Sequence, residues 1–126
     1  MLKVTRALLL VCVFALAATP LRAQRRPITT DEIEKASAIV TTAFDAVNAL
    51  RPRWLQAPRE LGTQGQMPRI HVYQDDHDMG GVEYLKTIPA EHVAKIRWYS
   101  ANEAGSRFGP SEGPVIEVTL KPAGPP

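Results

Sequence analysis

The start of the chain constrains its fold more than any other feature. Residues 7–18 form an uncharged apolar run that follows Lys3 and Arg6 and precedes Ala23, a small residue suited to signal-peptide cleavage. The run has about 12 residues, whereas a helix that crosses a bilayer needs about 20. The pattern therefore predicts a signal peptide at residues 1–23, an exported protein and a mature chain with no transmembrane span.

About 103 residues follow the predicted signal peptide, which is enough for a single domain with a modest core. The only cysteine, Cys12, lies inside the apolar run, so the mature chain has no thiol for a disulfide or for catalysis. Three of the 15 basic residues belong to the predicted signal peptide, so the mature chain has 12 basic and 13 acidic residues. A nearly neutral domain lacks the basic surface that binds DNA or RNA, so no nucleic-acid partner is expected.

The first part of the mature chain has the pattern of an amphipathic helix. Thr29 and Glu32 have the spacing of a capping box. Apolar residues then recur at steps of three and four from Ile33 to Leu50, and Pro52 disfavours helical geometry at the residue before it. One long helix of about 20 residues is therefore predicted, ending near Leu50.

Three later stretches alternate apolar and polar residues, as half-buried strands do. They cover residues 69–73, 95–100 and 114–121. Residues 74–81 are interpreted as a polar turn, and residues 82–87 and 102–107 as short helical pieces. The predicted fold class is α+β, with the long N-terminal helix on a small mixed sheet of about three strands. This domain is expected to span residues 24–121, before a flexible tail at residues 122–126.

Several fragments of this pattern, taken together, point to a known family. They are ITTDEI at residues 28–33, AVNALRPRWL at 46–55, IHVYQD at 70–75, IPAEHV at 88–93, RFG at 107–109 and GPVIEVT at 113–119. In these fragments the chain resembles the plug domain of TonB-dependent outer-membrane receptors. The resemblance covers nearly the whole mature chain and implies a plug-like α+β fold.

The resemblance does not carry a receptor's transport activity over to this chain. Plugs usually have Asp-Gly where this chain has Asp75-Asp76, and Ala101-Asn102 replaces a common Gly-Pro. The sequence reaches Pro126 without the alternating strands of a transmembrane barrel. We therefore expect a stand-alone, non-enzymatic plug-like domain in the periplasm or at the outer membrane, with no cofactor and with an envelope protein or a small ligand as its partner.

The first candidate site is an aromatic and basic surface. Alternation places His71 with Tyr73, and Arg97 with Tyr99, on the face of the sheet away from the long helix. Arg107 lies in the following helical piece, and an exposed patch of this kind can mark a partner site. If short helices also cover this face, the same residues are buried instead, and the sequence leaves both arrangements open.

The second candidate is a metal site, and it carries the alternative function of a small secreted metal-binding protein or enzyme. His71, Asp75 and His77 fall close together, with Asp76 and Asp78 beside them. A surface turn is the favoured interpretation, because aspartate bonds to its own backbone in turns and the ligand spacing of a calcium loop is missing. Structural turn roles are assigned to Gly80, Gly81, Gly109 and Gly113.

Overall fold

The protein has a mixed α+β fold around a five-stranded sheet, seen in a computed structural model that describes residues 25–56, 69–110 and 113–123. The strands are β1 (Ile28–Thr29), β2 (His71–Gln74), β3 (His77–Gly80), β4 (Val93–Tyr99) and β5 (Val115–Leu120), the helices are α1 (Thr30–Lys35), α2 (Ala43–Leu50) and α3 (Ala101–Phe108), and 3-10 helices span Pro52–Leu55, Val82–Thr87 and Ala90–His92. The predicted α+β class is confirmed. The predicted signal peptide and residues 124–126 of the tail lie outside the described residues.

The strand order in the sheet is β1-β4-β5-β2-β3. All neighbouring pairs are antiparallel except β2 and β5, which run parallel. A parallel pair needs a connection that crosses the sheet, and the chain between β2 and β5 supplies it. The three stretches predicted as strands correspond to β2, β4 and β5, and these form the centre of the sheet.

The main core lies on one face of the sheet, under α1, α2 and the three 3-10 helices. The sheet contributes alternate residues to this face, as its pleat requires. Trp54 from the first 3-10 helix and Leu85 from the second are buried in the same core. The sheet residues fully buried there are Ile28, Val72, Val93, Ile96, Ile116 and Val118.

The prediction of one long helix is wrong, because α1 ends at Lys35 and α2 begins at Ala43. The predicted capping box at Thr29 is confirmed, but a second box starts a second helix at Thr42. Thr42 Oγ1 accepts a hydrogen bond from the Asp45 N–H at 3.2 Å, and Asp45 Oδ2 accepts one from the Thr42 N–H at 3.1 Å. The Ala43 N–H donates to the Ile88 carbonyl at 2.8 Å, so this backbone bonds across the core instead of continuing α1.

The sheet has five strands instead of about three because a short strand is added at each edge. β1 contributes two residues, and β3 lies inside the segment interpreted as a polar turn. Gln74 pairs with His77, which leaves Asp75 and Asp76 as a two-residue loop with φ of 47° and 69°. Two positive φ angles define the hairpin turn whose twist suits antiparallel strands, so the acidic turn joins two strands.

Three of the four predicted turn glycines have a backbone reason for being glycine. Gly80 and Gly109 have φ of 96° and 97°, in a region that side chains rarely adopt. A Cβ at Gly113 would collide with the backbone carbonyl of Arg69. Gly81 has a φ of −89° and open space around it, so its conformation does not require glycine.

Candidate functional site

The predicted aromatic and basic residues lie on the second face of the sheet, opposite the main core. Helix α3 covers one end of this face and forms a small second core there, made of Tyr99, Ala104 and Val115. Phe108 stacks on Tyr73 with 4.2 Å between ring centroids and meets Tyr99 edge-on at 5.5 Å. Both arrangements left open by the sequence are therefore partly right, because α3 buries Tyr99 and leaves Arg97 exposed.

A buried carboxylate holds α3 to this face. Glu117 of β5 is 7% exposed, and its Oε2 accepts hydrogen bonds from Arg107 Nη2 at 3.0 Å and Nε at 3.3 Å. The Tyr99 hydroxyl donates to Glu117 Oε1 at 3.4 Å. Burial, followed by the nearby negative charge of Glu117, raises the pKa of Tyr99 above its ordinary value. Arg107 and Tyr99 are thus placed in a structural cluster whose centre, Glu117, the sequence analysis missed.

The structure does not bring the predicted metal ligands together. Register places His71 beside Val115 on the second face, whereas His77 is opposite Gln74, which lies on the other side of the sheet. His71 Nδ1 lies 3.4 Å from Asp78 Oδ2, and His77 Nδ1 lies 2.9 Å from the Asp75 carbonyl oxygen. Within the described segments, no three histidine, cysteine or acidic side chains could share a metal ion.

A groove opens where β1 separates from β4. β1 pairs with β4 only through Ile28 with Ile96 and Thr29 with Lys95. Pro27 precedes β1 and has no N–H to continue the pairing. The cavity left beside the end of β4 has a volume of about 520 Å³ and is lined by Arg25, Arg97, Trp98, Tyr99, Ser100, Glu103 and Ser106.

A smaller cavity adjoins this one on the other side of the β4 edge. It has a volume of about 140 Å³ and is lined by Arg25, Arg53, Trp54 and Trp98. The two cavities share Arg25 and Trp98, so we treat them as one feature, the β4-edge groove. Its rim carries three exposed arginines, and its floor is formed by aromatic residues that are buried or half-buried.

The charges in the β4-edge groove are mostly positive. The guanidinium of Arg97 lies 5.1 Å from the ring centroid of Tyr99, and no described carboxylate lies within salt-bridge distance of it. Glu103 is the one acid in the lining, and its Oε2 accepts a hydrogen bond from the Ser100 N–H at 3.0 Å. That backbone bond, with help from the charges of Arg25 and Arg97, keeps the pKa of Glu103 below its ordinary value. The carboxylate is therefore ionised and committed to capping α3.

Part of this groove could be predicted from the sequence. Alternation assigned Arg97 and Tyr99 to a binding surface but gave no role to Arg25 or Arg53. Trp98, which lies between Arg97 and Tyr99 in the chain, packs against the main core and is only partly buried. Because the two missed arginines are far from β4 in sequence, only the folded chain brings them to its edge.

A second groove, of about 400 Å³, lies between α1 and the 3-10 helix Ala90–His92. Its charged lining is mixed, with Glu34 and Glu91 facing Lys121, and no aromatic side chain contributes to it. Aromatic residues and arginines supply most of the binding energy in protein interfaces, and this groove is lined by neither. It is therefore a weaker candidate for a binding site than the β4-edge groove.

Comparison of the chain with protein-family models, with curated proteins and with solved structures gives no match. In the parts of the chain that the structure describes, no helix has both the length and the apolar character needed to cross a membrane. The assignment of function therefore depends on the geometry of the β4-edge groove.

Proposed function

We propose that the chain is an exported, non-enzymatic, plug-like domain of the cell envelope that binds a partner protein through the β4-edge groove. One observation carries the proposal: three exposed arginines surround an aromatic floor beside a strand whose outer edge is only partly paired. Arginine, tryptophan and tyrosine are the residues that most often supply the binding energy of protein interfaces.

The hydrogen bonding of the polar groups favours binding over turnover. The groove's own carboxylate, Glu103, caps α3, and the buried carboxylate nearby, Glu117, is held by Arg107. In the described segments, no serine or threonine hydroxyl is hydrogen-bonded to a histidine, as a nucleophile and its base would be. The envelope location rests on the signal pattern of residues 1–23 and on the resemblance to receptor plugs.

Site-specific photo-crosslinking in the producing cells tests the proposal. A photoreactive phenylalanine analogue is placed at Ser106, which lines the groove, or at Lys86, which is exposed on the 3-10 helix Val82–Thr87. We expect one protein adduct of defined mass from position 106 and none from position 86.

The change Arg97→Ala, combined with the analogue at position 106, supplies the control. If the groove is the binding surface, removing this exposed guanidinium abolishes the adduct while the melting temperature stays nearly constant. An adduct that survives Arg97→Ala, or equal adducts from positions 86 and 106, would refute the proposal. Tyr99 is not used as a probe, because its burial means that truncation would destabilise the fold.

A further inference from the structure

We propose that the occupant of the β4-edge groove is an acidic, extended segment of the partner protein, which adds a strand to the outer edge of β4. The inference rests on the proposed function and names the chemistry of the partner at the same groove. It follows from three features of the described residues: the unpaired strand edge, the positions of the arginines and the alternation of side chains around that edge.

The backbone of β4 offers an edge for pairing. β4 continues to Tyr99, whereas its outer neighbour β1 pairs only as far as Ile96. Successive residues of a strand direct their N–H and C=O groups to opposite sides, so at least one of Arg97, Trp98 and Tyr99 presents these groups outward. No backbone hydrogen bond joins the described residues 25–27 to this part of β4. An extended peptide can bind such an edge through main-chain hydrogen bonds.

Side chains on both sides of this edge suit an added strand. Arg97 and Tyr99 lie on the second face of the sheet, and Trp98 lies on the face of the main core, where Arg53 and Trp54 line the smaller cavity. Consecutive residues of an added strand would alternate between these two faces. One residue would then meet Arg97 and the next would meet Arg53, with Arg25 accessible from both cavities.

The charge of the rim selects acidic residues for those positions. Three exposed guanidinium groups face one carboxylate that is already engaged in capping. Arginine and carboxylate form charge-assisted, often bidentate hydrogen bonds. A run of adjacent aspartates or glutamates on an extended backbone supplies a carboxylate to each face.

Two other occupants fit the same observations less well. A small anion would remain open to water, because Arg25, Arg97, Glu103 and Ser106 in the lining are all exposed, whereas small-molecule sites bury most of their ligand. A single-stranded nucleic acid binds basic grooves with aromatic residues, but the mature chain carries 12 basic and 13 acidic residues and has little net charge to attract it.

Isothermal titration calorimetry on the protein purified from the periplasm tests the inference. The probe is a ten-residue peptide in which three consecutive glutamates are flanked by threonine and valine. The matched peptides replace glutamate by glutamine, or replace the threonines and valines by proline, which keeps the charge but removes the N–H groups that a strand needs. We expect the first peptide to bind at least about tenfold more tightly than either matched peptide.

Protein variants localise the binding. Arg97→Gln and the double change Arg25→Gln with Arg53→Gln should each weaken the glutamate peptide about tenfold. Lys86→Gln removes the same charge from an exposed site outside the groove and should change the affinity less than about twofold. Equal weakening by Lys86→Gln would overturn the inference, because the attraction would then depend on net charge alone.

The outcomes separate this inference from the proposed function. Equal binding of the proline peptide overturns strand addition, and tighter binding of a thymidine oligonucleotide overturns the acidic peptide in favour of nucleic acid. If no peptide binds but the Arg97-dependent crosslink at position 106 remains, the partner's chemistry is wrong and the groove is still the interface. If the crosslink is absent as well, both proposals fail.

Discussion

Asp75 and Asp76 give the β2–β3 hairpin a turn whose backbone suits glycine better than aspartate. Their φ angles of 47° and 69° are positive, and the second turn position is most often glycine in hairpins of this type. Asp76→Gly should therefore raise the free energy of unfolding by up to about 1 kcal/mol. The ion pair lost with Arg107 is 3.5 Å long and exposed, so its loss offsets little of this gain.

Urea unfolding followed by tryptophan fluorescence measures this change. Asp76→Ala is the matched control, because it removes the same carboxylate but keeps a Cβ at the positive φ. We expect the glycine variant to be more stable than the wild type, and the alanine variant to be less stable. The opposite order would contradict the turn described for residues 75–76.

Arg107 is exposed, but it has a structural role as the partner of a buried carboxylate. Its guanidinium is the only cation among the described residues that bonds to the buried carboxylate of Glu117. Arg107→Ala should lower the free energy of unfolding, because it leaves the buried carboxylate of Glu117 without its cation. Adding Glu117→Gln should recover part of this loss, since a neutral amide costs less to bury. Equal stability of Arg107→Ala and wild type in the same urea experiment would contradict this role.

Capping boxes set where each described α-helix begins. Each box pairs the N-cap residue with the third residue of the helix, which is Glu32, Asp45 or Glu103. The side chain of each of these acids accepts a hydrogen bond from the backbone N–H of its N-cap residue. The pKa of Asp45 is lowered first by the side-chain hydrogen bond from Thr41. For Glu32, burial raises the pKa, but the Thr29 backbone bond and the pairing with Arg51 outweigh it and keep the pKa low.

The lowered pKa values predict how the helices respond to acid. A carboxylate whose folded pKa lies below its unfolded value stabilises the fold above the unfolded pKa, and this contribution is lost as the pH falls through the folded pKa. We expect the carboxyl carbon of Asp45 to titrate below pH 3.8 in the wild type and nearer that value in Thr41→Val. Ser37→Ala changes an exposed residue outside the box and should leave the titration midpoint of Asp45 unchanged. If Thr41→Val also left this midpoint unchanged, the hydrogen bond from Thr41 would not be the cause of the lowered pKa.

The sequence predicted the elements whose signals are local. The alternation in β4 and β5 and the capping pair at Thr29 identified these elements correctly. The long helix was wrong because its apolar spacing continued across the break between the two helices through Val40, which is buried in the same core, and the second capping pair, at Thr42 and Asp45, was overlooked. β1 and β3 are too short and too polar to show alternation, and they form only because a neighbouring strand is available to pair with them.

Arg51 ties the start of the described chain to the helical layer. This residue is 8% exposed, and its guanidinium donates to the carbonyl oxygens of Arg26 and Leu50 and to Glu32 Oε1 at 3.0 Å. Fixing Arg26 places Arg25 at the β4-edge groove. Cleavage after residue 23, as proposed, would leave Arg25 near the new amino terminus, so the groove would be complete in the mature chain.

The β4-edge groove could not be predicted as a unit, because its parts come from four separate stretches of sequence. Arg25 precedes β1, Arg53 lies in a 3-10 helix, Arg97 belongs to β4 and Ser106 to α3. Local patterns identify which face of a strand a residue occupies, but they do not identify the neighbouring strand. The groove opens because β1 begins only at Ile28 and leaves the last residues of β4 unpaired on that side. Where β1 begins depends on its pairing with β4, which local patterns do not show.

Amide hydrogen–deuterium exchange, resolved by residue, tests most directly whether the outer edge of β4 is the binding surface. With the glutamate peptide added at saturation, we predict that exchange slows at least about tenfold at one or more of Arg97, Trp98 and Tyr99, because a new strand engages their outward amides. The amides of Asp78 and Met79, on the opposite edge strand β3, should be unaffected. Protection at β3 instead, or no protection at either edge, would contradict binding at β4.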